Sequence, residues 1–352
     1  MSFLTPNFLP AAPAKMSILD ITYAAYLLSQ SNLGSLTNVT YYNSSGIANT
    51  QTTTISLSNY YQKYFFPIGY GIKLPTPAGI TFIAPQGIAV DSNLNVYVCN
   101  YVPNNIIRIA RDGTGSIYST LPAGPRSITI DSSNNLFVTL SENHTIYKIP
   151  TTGIATLFAG RSATTGTTDG NATNARFFTP QGITIDGSDI VYITDQGSGK
   201  VRKMTPAGDV TTIYSATYSP AFITSIAIDQ SSNLYISDYS RSFIFKLTYP
   251  SYTFTNYAGS NGLNGYQDGV NTNARFNTIY GLTIDTFGNL YACDATNFAL
   301  RTISPGQTVS TLSGKGFGTN ITTYTNQPGY MGIDKFNIIY MTNGNDIIRI
   351  AT

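Results

Sequence analysis

Short stretches of alternating apolar and polar residues recur over residues 77–352, and turn-forming residues separate them. An alternation with a period of two predicts strands that bury one face. One phrase recurs six times in register: an apolar residue, any residue, an apolar residue and Asp, with Tyr or Phe six residues after the Asp. The aspartates of the six copies are Asp91, Asp131, Asp186, Asp229, Asp285 and Asp334.

Each copy predicts a small antiparallel sheet. The first strand ends at the aspartate, and three further strands follow, separated by turns such as Pro206–Gly208. Four strands in a repeat of about 40 to 55 residues are typical of one blade of a β-propeller. We therefore predict an all-β fold, a six-bladed β-propeller over residues 77–352. The residue two positions before each aspartate is small, as expected where inner strands converge on a central channel.

The sixth copy shows only three strands, so its outer strand must come from elsewhere in the sequence. Residues 79–83 follow a Pro-Ala-Gly turn that resembles the turn at Pro206–Gly208. We predict that residues 79–83 pair with residues 347–350, because this closure by an N-terminal strand would leave no unpaired sheet edge.

Residues 1–76 form an N-terminal extension outside the repeats. Ser17 and Asp20 predict a capped short helix that ends near Gln30, and residues 39–42 and 53–57 have strand-like sequences. A free segment with so few charges would be prone to aggregate, so we expect contacts to cover it. It is either an arm that packs on the propeller or on neighbouring subunits, or a small β subdomain that caps one propeller face.

Two blades contain long matching motifs. The motifs are Ala159–Gly160 to Asp169–Gly170, Ala175–Phe177 and Pro180–Gly182, then Ala258–Gly259 to Asp268–Gly269, Ala274–Phe276 and Gly281, with Asp285, Gly288–Tyr291, Asp294, Asn297 and Arg301. They resemble the motifs of the NHL-repeat propellers. The resemblance implies a six-bladed ring with a central channel and implies no single activity, since the family includes binding scaffolds as well as lyases.

Charged residues are scarce and narrow the possible functions. They make up 10% of the sequence, against roughly 25% in an ordinary soluble domain. The 19 Lys and Arg residues are scattered singly, whereas nucleic-acid binding needs clustered basic residues. A single His and a single Glu argue against multi-histidine zinc sites and most histidine relays. The sequence therefore predicts no metal, no cofactor and no catalytic residue.

The N-terminal residues lack the basic character of a secretory leader. The apolar stretch at residues 18–28 has about half the length that crosses a bilayer. We therefore expect no signal peptide and no membrane span. The expected location is cytoplasmic synthesis, followed by incorporation into a virion or another extracellular particle.

The single Glu and the single His fall in one loop between the second and third strands of the second repeat. In a propeller such loops share a face with the inter-blade loops, where ligands usually dock. A general acid and base pair is one interpretation, and an exposed solvated loop is the one we favour. Aromatic and amide groups on the same loops suit contacts with protein or carbohydrate. The candidate binding residues are Asn104, Asn105, Glu142, His144, Tyr239, Arg241 and Phe298.

Two inter-blade loops contain an Asp and an Arg seven residues apart, Asp169 with Arg176 and Asp268 with Arg275. The arginines could clamp an anionic ligand. Alternatively, each Arg bonds to its own Asp or to loop carbonyls and so holds the loop. Because the pair recurs in two blades, we favour the structural interpretation.

The repeat aspartates and the two cysteines also have structural interpretations. A ring of carboxylates could bind a cation, but a short Asp side chain is well suited to accept hydrogen bonds from the turn that follows it. Cys99 and Cys293 occupy equivalent positions in the first and fifth repeats. Such positions are too far apart for a disulfide, so both are predicted to be reduced and buried.

These features favour a non-enzymatic structural or binding propeller that acts as a protein-interaction module in a larger assembly. Its partners are expected to be proteins, bound through the N-terminal extension and the loop face, in a homo-oligomer or a multi-subunit particle. Two alternatives stay open. One is a propeller lyase or hydrolase with a site at the channel mouth, and the other is a carbohydrate-binding propeller.

Overall fold

The computed structural model describes residues 71–218, 222–314, 328–350 and 352, together with the strands of an N-terminal unit. The protein divides into two compact units, Met1–Pro67 and Ile68–Thr352. The first unit contains two antiparallel strand pairs, and the helix expected after Ser17 lies outside the described residues. The pairs are Ser35–Leu36 with Ile55–Ser56, and Val39–Tyr42 with Ala48–Gln51. No helix in the described ranges has both the length and the apolar character needed to cross a membrane.

The second unit is a six-bladed β-propeller, which confirms the predicted fold. Each blade is an antiparallel sheet whose first three strands follow the order of the sequence from the inside outward, whereas the outermost strand of blades 3, 5 and 6 precedes them in the sequence. From innermost to outermost strand the blades are as follows: blade 1, Pro85–Val90, Val96–Asn100, Asn105–Ile109 and Gly115–Thr120; blade 2, Ile128–Ile130, Leu136–Leu140, Thr145–Ile149 and Thr156–Gly160; blade 3, Pro180–Ile185, Val191–Asp195, Lys200–Met204, Asp209–Ser215 and Gly170–Asn171; blade 4, Ile223–Ile228, Leu234–Asp238, Phe243–Thr248 and Thr253–Ala258; blade 5, Ile279–Ile284, Leu290–Asp294, Ala299–Ile303, Thr308–Gly314 and Gly269–Val270; blade 6, Pro328–Ile333, Ile339–Asn343, Asp346–Ile350 and Gly71–Lys73. Short 3-10 helices in the described loops span Ser141–Asn143, Ala172–Asn174, Gln196–Ser198 and Asn271–Asn273.

The ring is closed by an N-terminal strand, but the predicted strand was wrong. Gly71–Lys73 pairs antiparallel with Ile348–Ile350 and completes blade 6, six residues before the expected start of the propeller at residue 77. Residues 79–83 form no strand. Instead Pro77 and Ile80 lie against Gly115 of blade 1, where a Cβ would meet the Pro77 side chain at 2.5 Å. The turn at residues 77–80 therefore packs on the first blade and cannot reach the last.

Apolar side chains between successive blades form the core. One cluster, for example, joins Tyr97 and Ile106 of blade 1 to Leu136 of blade 2. The innermost strands surround a channel of about 240 Å³, and its lining alternates larger apolar residues such as Ile128 and Ile130 with small residues such as Thr129. At Gly182 the neighbouring strand is so close that a Cβ would lie 2.5 Å from the carbonyl oxygen of Thr224. Gly332, one of the small residues predicted two positions before an aspartate, is equally close to the next blade, since a Cβ there would lie 2.5 Å from the carbonyl oxygen of Ile88.

The repeat aspartates organise the turns on one face of the ring. Asp91 accepts hydrogen bonds from the backbone N–H groups of Asn93 and Asn95 at 2.9 and 2.8 Å, from the Asn95 amide at 2.7 Å and from the Tyr97 hydroxyl at 3.2 Å. The other five repeat aspartates bond to their own turns in the same way. Their first bonds run from Ser133, Ser188, Ser231, Phe287 and Phe336. This arrangement is the structural role expected from the sequence.

Candidate functional site

The opposite face of the ring carries two kinds of loop, as the sequence predicted. Loops between second and third strands meet the inter-blade loops there, and direct hydrogen bonds join them. The N–H of Leu121 donates to the carbonyl of Asn104 at 2.8 Å, and the N–H of Gly262 donates to the carbonyl of Arg241 at 3.0 Å. We call this surface the loop face.

Glu142 lies on the loop face beside an arginine that the sequence interpretation did not select. Its carboxylate accepts a hydrogen bond from the hydroxyl of Tyr101 and lies 3.6 Å from the guanidinium of Arg126. Arg126 in turn stacks on the Tyr101 ring, 4.3 Å from its centroid. Burial is the main cause that raises the pKa of Tyr101, and the hydrogen bond to Glu142 raises it further. These three side chains from blades 1 and 2 form one polar cluster, which we call the Arg126 cluster.

Gly124 makes room for the Tyr101 ring in this cluster. A Cβ at Gly124 would stand 2.3 Å from the ring, closer than atoms approach in a folded protein. The Tyr101 ring therefore lies close against the inter-blade loop, which restricts the movement of the ring beneath Arg126.

His144 does not join the Arg126 cluster, although it is two residues from Glu142. Its Nδ1 accepts the backbone N–H of Thr179 at 3.2 Å, and its ring lies edge-on to Phe178. The residue adopts a left-handed conformation, with φ of 60°. Partial burial lowers the pKa of His144, and Nδ1 must be unprotonated to accept the Thr179 N–H. Its described contacts hold an inter-blade loop.

The other predicted binding residues also lie on the loop face, in different settings. Asn105 is buried and accepts the Asn100 amide at 3.2 Å, whereas Asn104 occupies a left-handed turn with φ of 67°. Arg241 stacks on Tyr218 at 4.3 Å and donates to Asn261 at 3.1 Å. Phe298 packs against the apolar cluster between blades 5 and 6, and Tyr239 is half-buried beside Tyr280.

Six residues at the loop-face end of the innermost strands each lie five positions before a repeat aspartate, and we call them the mouth residues. Arg126 is the only charged side chain among the six. These six residues thus combine one cation with amide and phenol groups, which donate and accept hydrogen bonds. The mouth residues are Gln86, Arg126, Gln181, Thr224, Tyr280 and Gly329.

Aromatic rings continue the mouth across blades 4 to 6. The ring centroids of Tyr239 and Tyr280 are 5.3 Å apart, and those of Tyr280 and Tyr330 are 6.3 Å apart. Burial is the main cause that raises the pKa of Tyr280 and of Tyr330, and the charge of Arg126 opposes both increases. Arg126 in blade 2 therefore acts electrostatically on tyrosines of blades 5 and 6, across the channel.

The Asp and Arg pairs in the long inter-blade loops differ in part from the expectation. Arg176 bonds to loop carbonyls, donating to Thr173 at 2.6 Å and Ala175 at 2.7 Å. Asp169 does not pair with it, because the buried Arg202 of blade 3 takes the carboxylate at 2.7 Å. Blade 5 has the same arrangement. There Arg275 bonds to the carbonyls of Thr272 and Ala274, and Asp268 pairs with Arg301 at 2.6 Å.

Arg202 and Arg301 are fully buried, and each joins two loop segments to its own sheet. Arg202 donates to the carbonyls of Thr168 and Arg176 and lies 3.4 Å from Asp195. Burial raises the pKa of Asp195 to about 6, against hydrogen bonds from Ser198, Phe178 and Arg202 that lower it. The sequence interpretation did not recognise the role of Arg202 and Asp195. A recurring signal was available, since Asp or Asn also ends the second strands of blades 1, 4, 5 and 6.

Both cysteines are buried and free, as predicted. Burial raises the pKa of the Cys99 thiol well above its usual value and raises that of Cys293 as well. Among the described residues, no three His, Cys, Asp or Glu side chains cluster in a way that could hold a metal ion.

Comparison with known proteins supports the fold. No family model and no curated protein sequence matches this protein. Solved structures do match. An auxiliary nutrient binding protein from Bacteroides thetaiotaomicron has a TM-score of 0.65 and 14% identity, covering 90% of this chain and 83% of its own.

Two enzymes share the same architecture. A gluconolactonase from Xanthomonas campestris has a TM-score of 0.61 and 13% identity, covering 80% of this chain and 89% of its own. Virginiamycin B lyase from Staphylococcus aureus has a TM-score of 0.55 and 15% identity, covering 80% of this chain and 98% of its own. The likeness defines the protein as a six-bladed propeller, a class that includes both binding proteins and enzymes.

Proposed function

We propose that the protein is a non-enzymatic propeller that binds protein partners through its loop face within a larger assembly. The observation that carries this proposal is a set of exposed apolar side chains in the loops of that face. A concentration of exposed apolar side chains on one surface of a folded protein marks an interaction site, whereas single exposed apolar residues are normal. The side chains, which we call the loop-face apolar set, are Ile83, Val102, Phe178, Phe222, Leu263 and Tyr266, each 40% to 53% exposed.

The contacts of Glu142 and His144 support binding rather than catalysis. These are the only Glu and His of the sequence, and each is engaged by neighbouring groups. Glu142 faces Arg126 and Tyr101. His144 accepts a backbone N–H through Nδ1, so the other nitrogen of the neutral ring carries the proton and has no lone pair with which to act as a base. Both side chains are therefore engaged in contacts within the loop face.

The proposal is tested by substituting two members of the loop-face apolar set and isolating the native complex. Phe222→Ser and Leu263→Ser should each reduce the amount of partner that co-purifies with the protein, because each removes apolar area from the interface. Phe287→Ser is the matched control, since Phe287 is 77% exposed but follows Asp285 on the opposite face. Isolation of a lone monomer that turns over a substrate would refute the proposal. An unchanged complex in both loop-face variants would refute the assigned face.

Carbohydrate binding is the second candidate, favoured by the half-buried pair Tyr239 and Tyr280 near the channel mouth. Aromatic rings beside amide groups are a common setting for neutral sugars, and a structural neighbour is a nutrient binding protein. Titration with neutral oligosaccharides tests this candidate. Binding that Tyr280→Ala abolishes and Phe222→Ser leaves unchanged would favour it over a protein partner.

A further inference from the structure

The Arg126 cluster already holds a carboxylate, that of Glu142, which accepts the Tyr101 hydroxyl but makes only a long contact with Arg126. Charge-assisted bonds between Arg and carboxylate are about 2.7 to 2.9 Å long. The pairs at Asp169 and Asp268 reach 2.7 and 2.6 Å, whereas the pair between Arg126 and Glu142 measures 3.6 Å. The Glu142 side chain is also 66% exposed. The contact with Arg126 is therefore weak, and a competing carboxylate has to replace chiefly the bond from the Tyr101 hydroxyl.

In contrast to Glu142, the two hydrogen-bond donors of the cluster, Arg126 and Tyr101, are held in place by their neighbours. Arg126 is 27% exposed and lies flat on Tyr101, whose ring occupies the space beside Gly124. A guanidinium with a neighbouring phenol can bind a carboxylate from solution through several charge-assisted hydrogen bonds. The positions for these bonds exist before any ligand arrives, so little ordering is needed on binding.

An apolar patch adjoins these donors. Val102 directly follows Tyr101, its N–H donates to Ile83 at 3.2 Å, and both side chains are more than 40% exposed. A ligand that offers a carboxylate next to a large apolar side chain matches this combination. Acidic peptide segments and the carboxyl termini of proteins have that chemistry, whereas an acidic sugar has the carboxylate without the apolar side chain.

We infer that the Arg126 cluster is a receptor for a carboxylate of the protein partner, which displaces Glu142 from Arg126 and Tyr101 and places an adjacent apolar side chain on Ile83 and Val102. This inference rests on the proposed function and names the chemistry by which its partner is recognised. Glu142 acts as an internal competitor that covers Arg126 when no partner is bound.

The test uses the full-length protein and a probe pair that differs only in the carboxylate, N-acetyltryptophan and N-acetyltryptophanamide. The protein has no Trp, so tryptophan fluorescence anisotropy reports on the probe alone. We expect N-acetyltryptophan to bind about tenfold more tightly than the amide, as one charge-assisted interaction would give. Equal affinities, including no binding of either probe, would overturn the inference.

Four variants locate the effect. Arg126→Gln should abolish the preference for the carboxylate, and Tyr101→Phe should reduce it while keeping the ring. Glu142→Gln should tighten N-acetyltryptophan binding severalfold by removing the competitor. Arg161→Gln is the matched control, because Arg161 is an exposed arginine in another inter-blade loop of the same face. A preference that survives in Arg126→Gln, with thermal unfolding showing that the variant is folded, would refute the site.

Competition distinguishes the source of the carboxylate. N-acetylleucine should displace N-acetyltryptophan more effectively than glucuronate does. Displacement by glucuronate alone would assign the site to an acidic sugar and refute a protein partner at this cluster. If the native complex depends on Phe222 and Leu263 while Arg126→Gln leaves it intact, the inference fails and the proposed function stands.

Discussion

The guanidinium of Arg301 lies 2.6 Å from the carboxylate of Asp268, which precedes it by 33 residues. The same guanidinium lies 2.7 Å from Asp294 in its own sheet and donates to the carbonyls of Arg275 and Gln267. One side chain thus joins a long inter-blade loop to the blade that follows it. Arg202 repeats the arrangement with Asp169 and Asp195 in blade 3.

Arg301→Leu should lower the free energy of unfolding by about 3 to 5 kcal/mol, because it leaves Asp294 buried without its cation. Arg301→Lys should also destabilise the fold, since a single ammonium cannot replace a planar fork that bonds to several acceptors. Denaturant unfolding measures both, with the exposed Arg161→Leu as the control. A loss no larger than that of the control would show that the buried pair is not needed for stability.

The raised pKa of Asp195 predicts a pH dependence of stability. The pKa is about 6 in the folded state and about 3.9 in an unfolded polypeptide. The folded state therefore binds the proton more tightly, and the stability that this group contributes is complete below pH 4 and is lost as the pH rises through 6. Relative to Asp195→Asn, which cannot titrate, the wild-type free energy of unfolding should fall by up to about 3 kcal/mol between pH 4 and pH 7. An increase over that interval would instead mean that the ion pair with Arg202 lowers the pKa.

Close approach of the inner strands makes Gly182 and Gly187 respond differently to one added methyl group. In Gly182→Ala the new Cβ would lie 2.5 Å from the carbonyl oxygen of Thr224, so the blades must separate. A loss of about 1 to 3 kcal/mol is expected from this overpacking. Nothing lies within 4 Å of the corresponding position at Gly187, so Gly187→Ala should be neutral. Thermal unfolding of the two variants provides the comparison, and equal melting temperatures would contradict the packing argument.

The closing strand predicts how far the N-terminus can be shortened. A variant that begins at Ile68 keeps Gly71–Lys73 and the bond from the Leu74 N–H to the Ile347 carbonyl at 2.8 Å. A variant that begins at residue 77 exposes the edge of Asp346–Ile350, so we expect a lower melting temperature and aggregation. If both variants melt at the same temperature as soluble proteins, the strand at Gly71–Lys73 is not the closure of the ring.

The blades could be predicted because the information is local and repeated. Each aspartate such as Asp285 bonds to Phe287 and Asn289 within its own turn, so the pattern appears in any short window of sequence. The closing strand could not be found in this way. Residues 77–83 copy the Pro-Ala-Gly turn of blade 3, but the choice between them and Gly71–Lys73 depends on Pro77 and Ile80 packing on Gly115.

The sequence predicted the face of the ring on which the candidate site lies, but it did not predict all the residues that form the site. Repeat register placed Glu142 and Tyr239 in loops that meet at one end of the ring, and they do. It did not single out Arg126, because a lone arginine before an inner strand has no local motif. Its significance depends on Tyr101 from the previous blade and on Tyr280 across the channel. For the same reason Arg202 was missed, since its partner Asp169 lies 33 residues away.

The closure of the ring also determines the order in which the blades can fold during synthesis. Gly71–Lys73 cannot pair until Ile348–Ile350 has been synthesised. The N–H of Ala84 likewise bonds to the side chain of Asn345, 261 residues later in the sequence. At a synthesis rate of about 5 to 20 residues per second, the first propeller strand remains without its partner for on the order of ten seconds or longer. Blades 1 to 5 can form in order as they leave the ribosome, whereas blade 6 is assembled last from both ends. During that interval the unpaired first strand is available to chaperones, or to the same strand of a neighbouring nascent polypeptide.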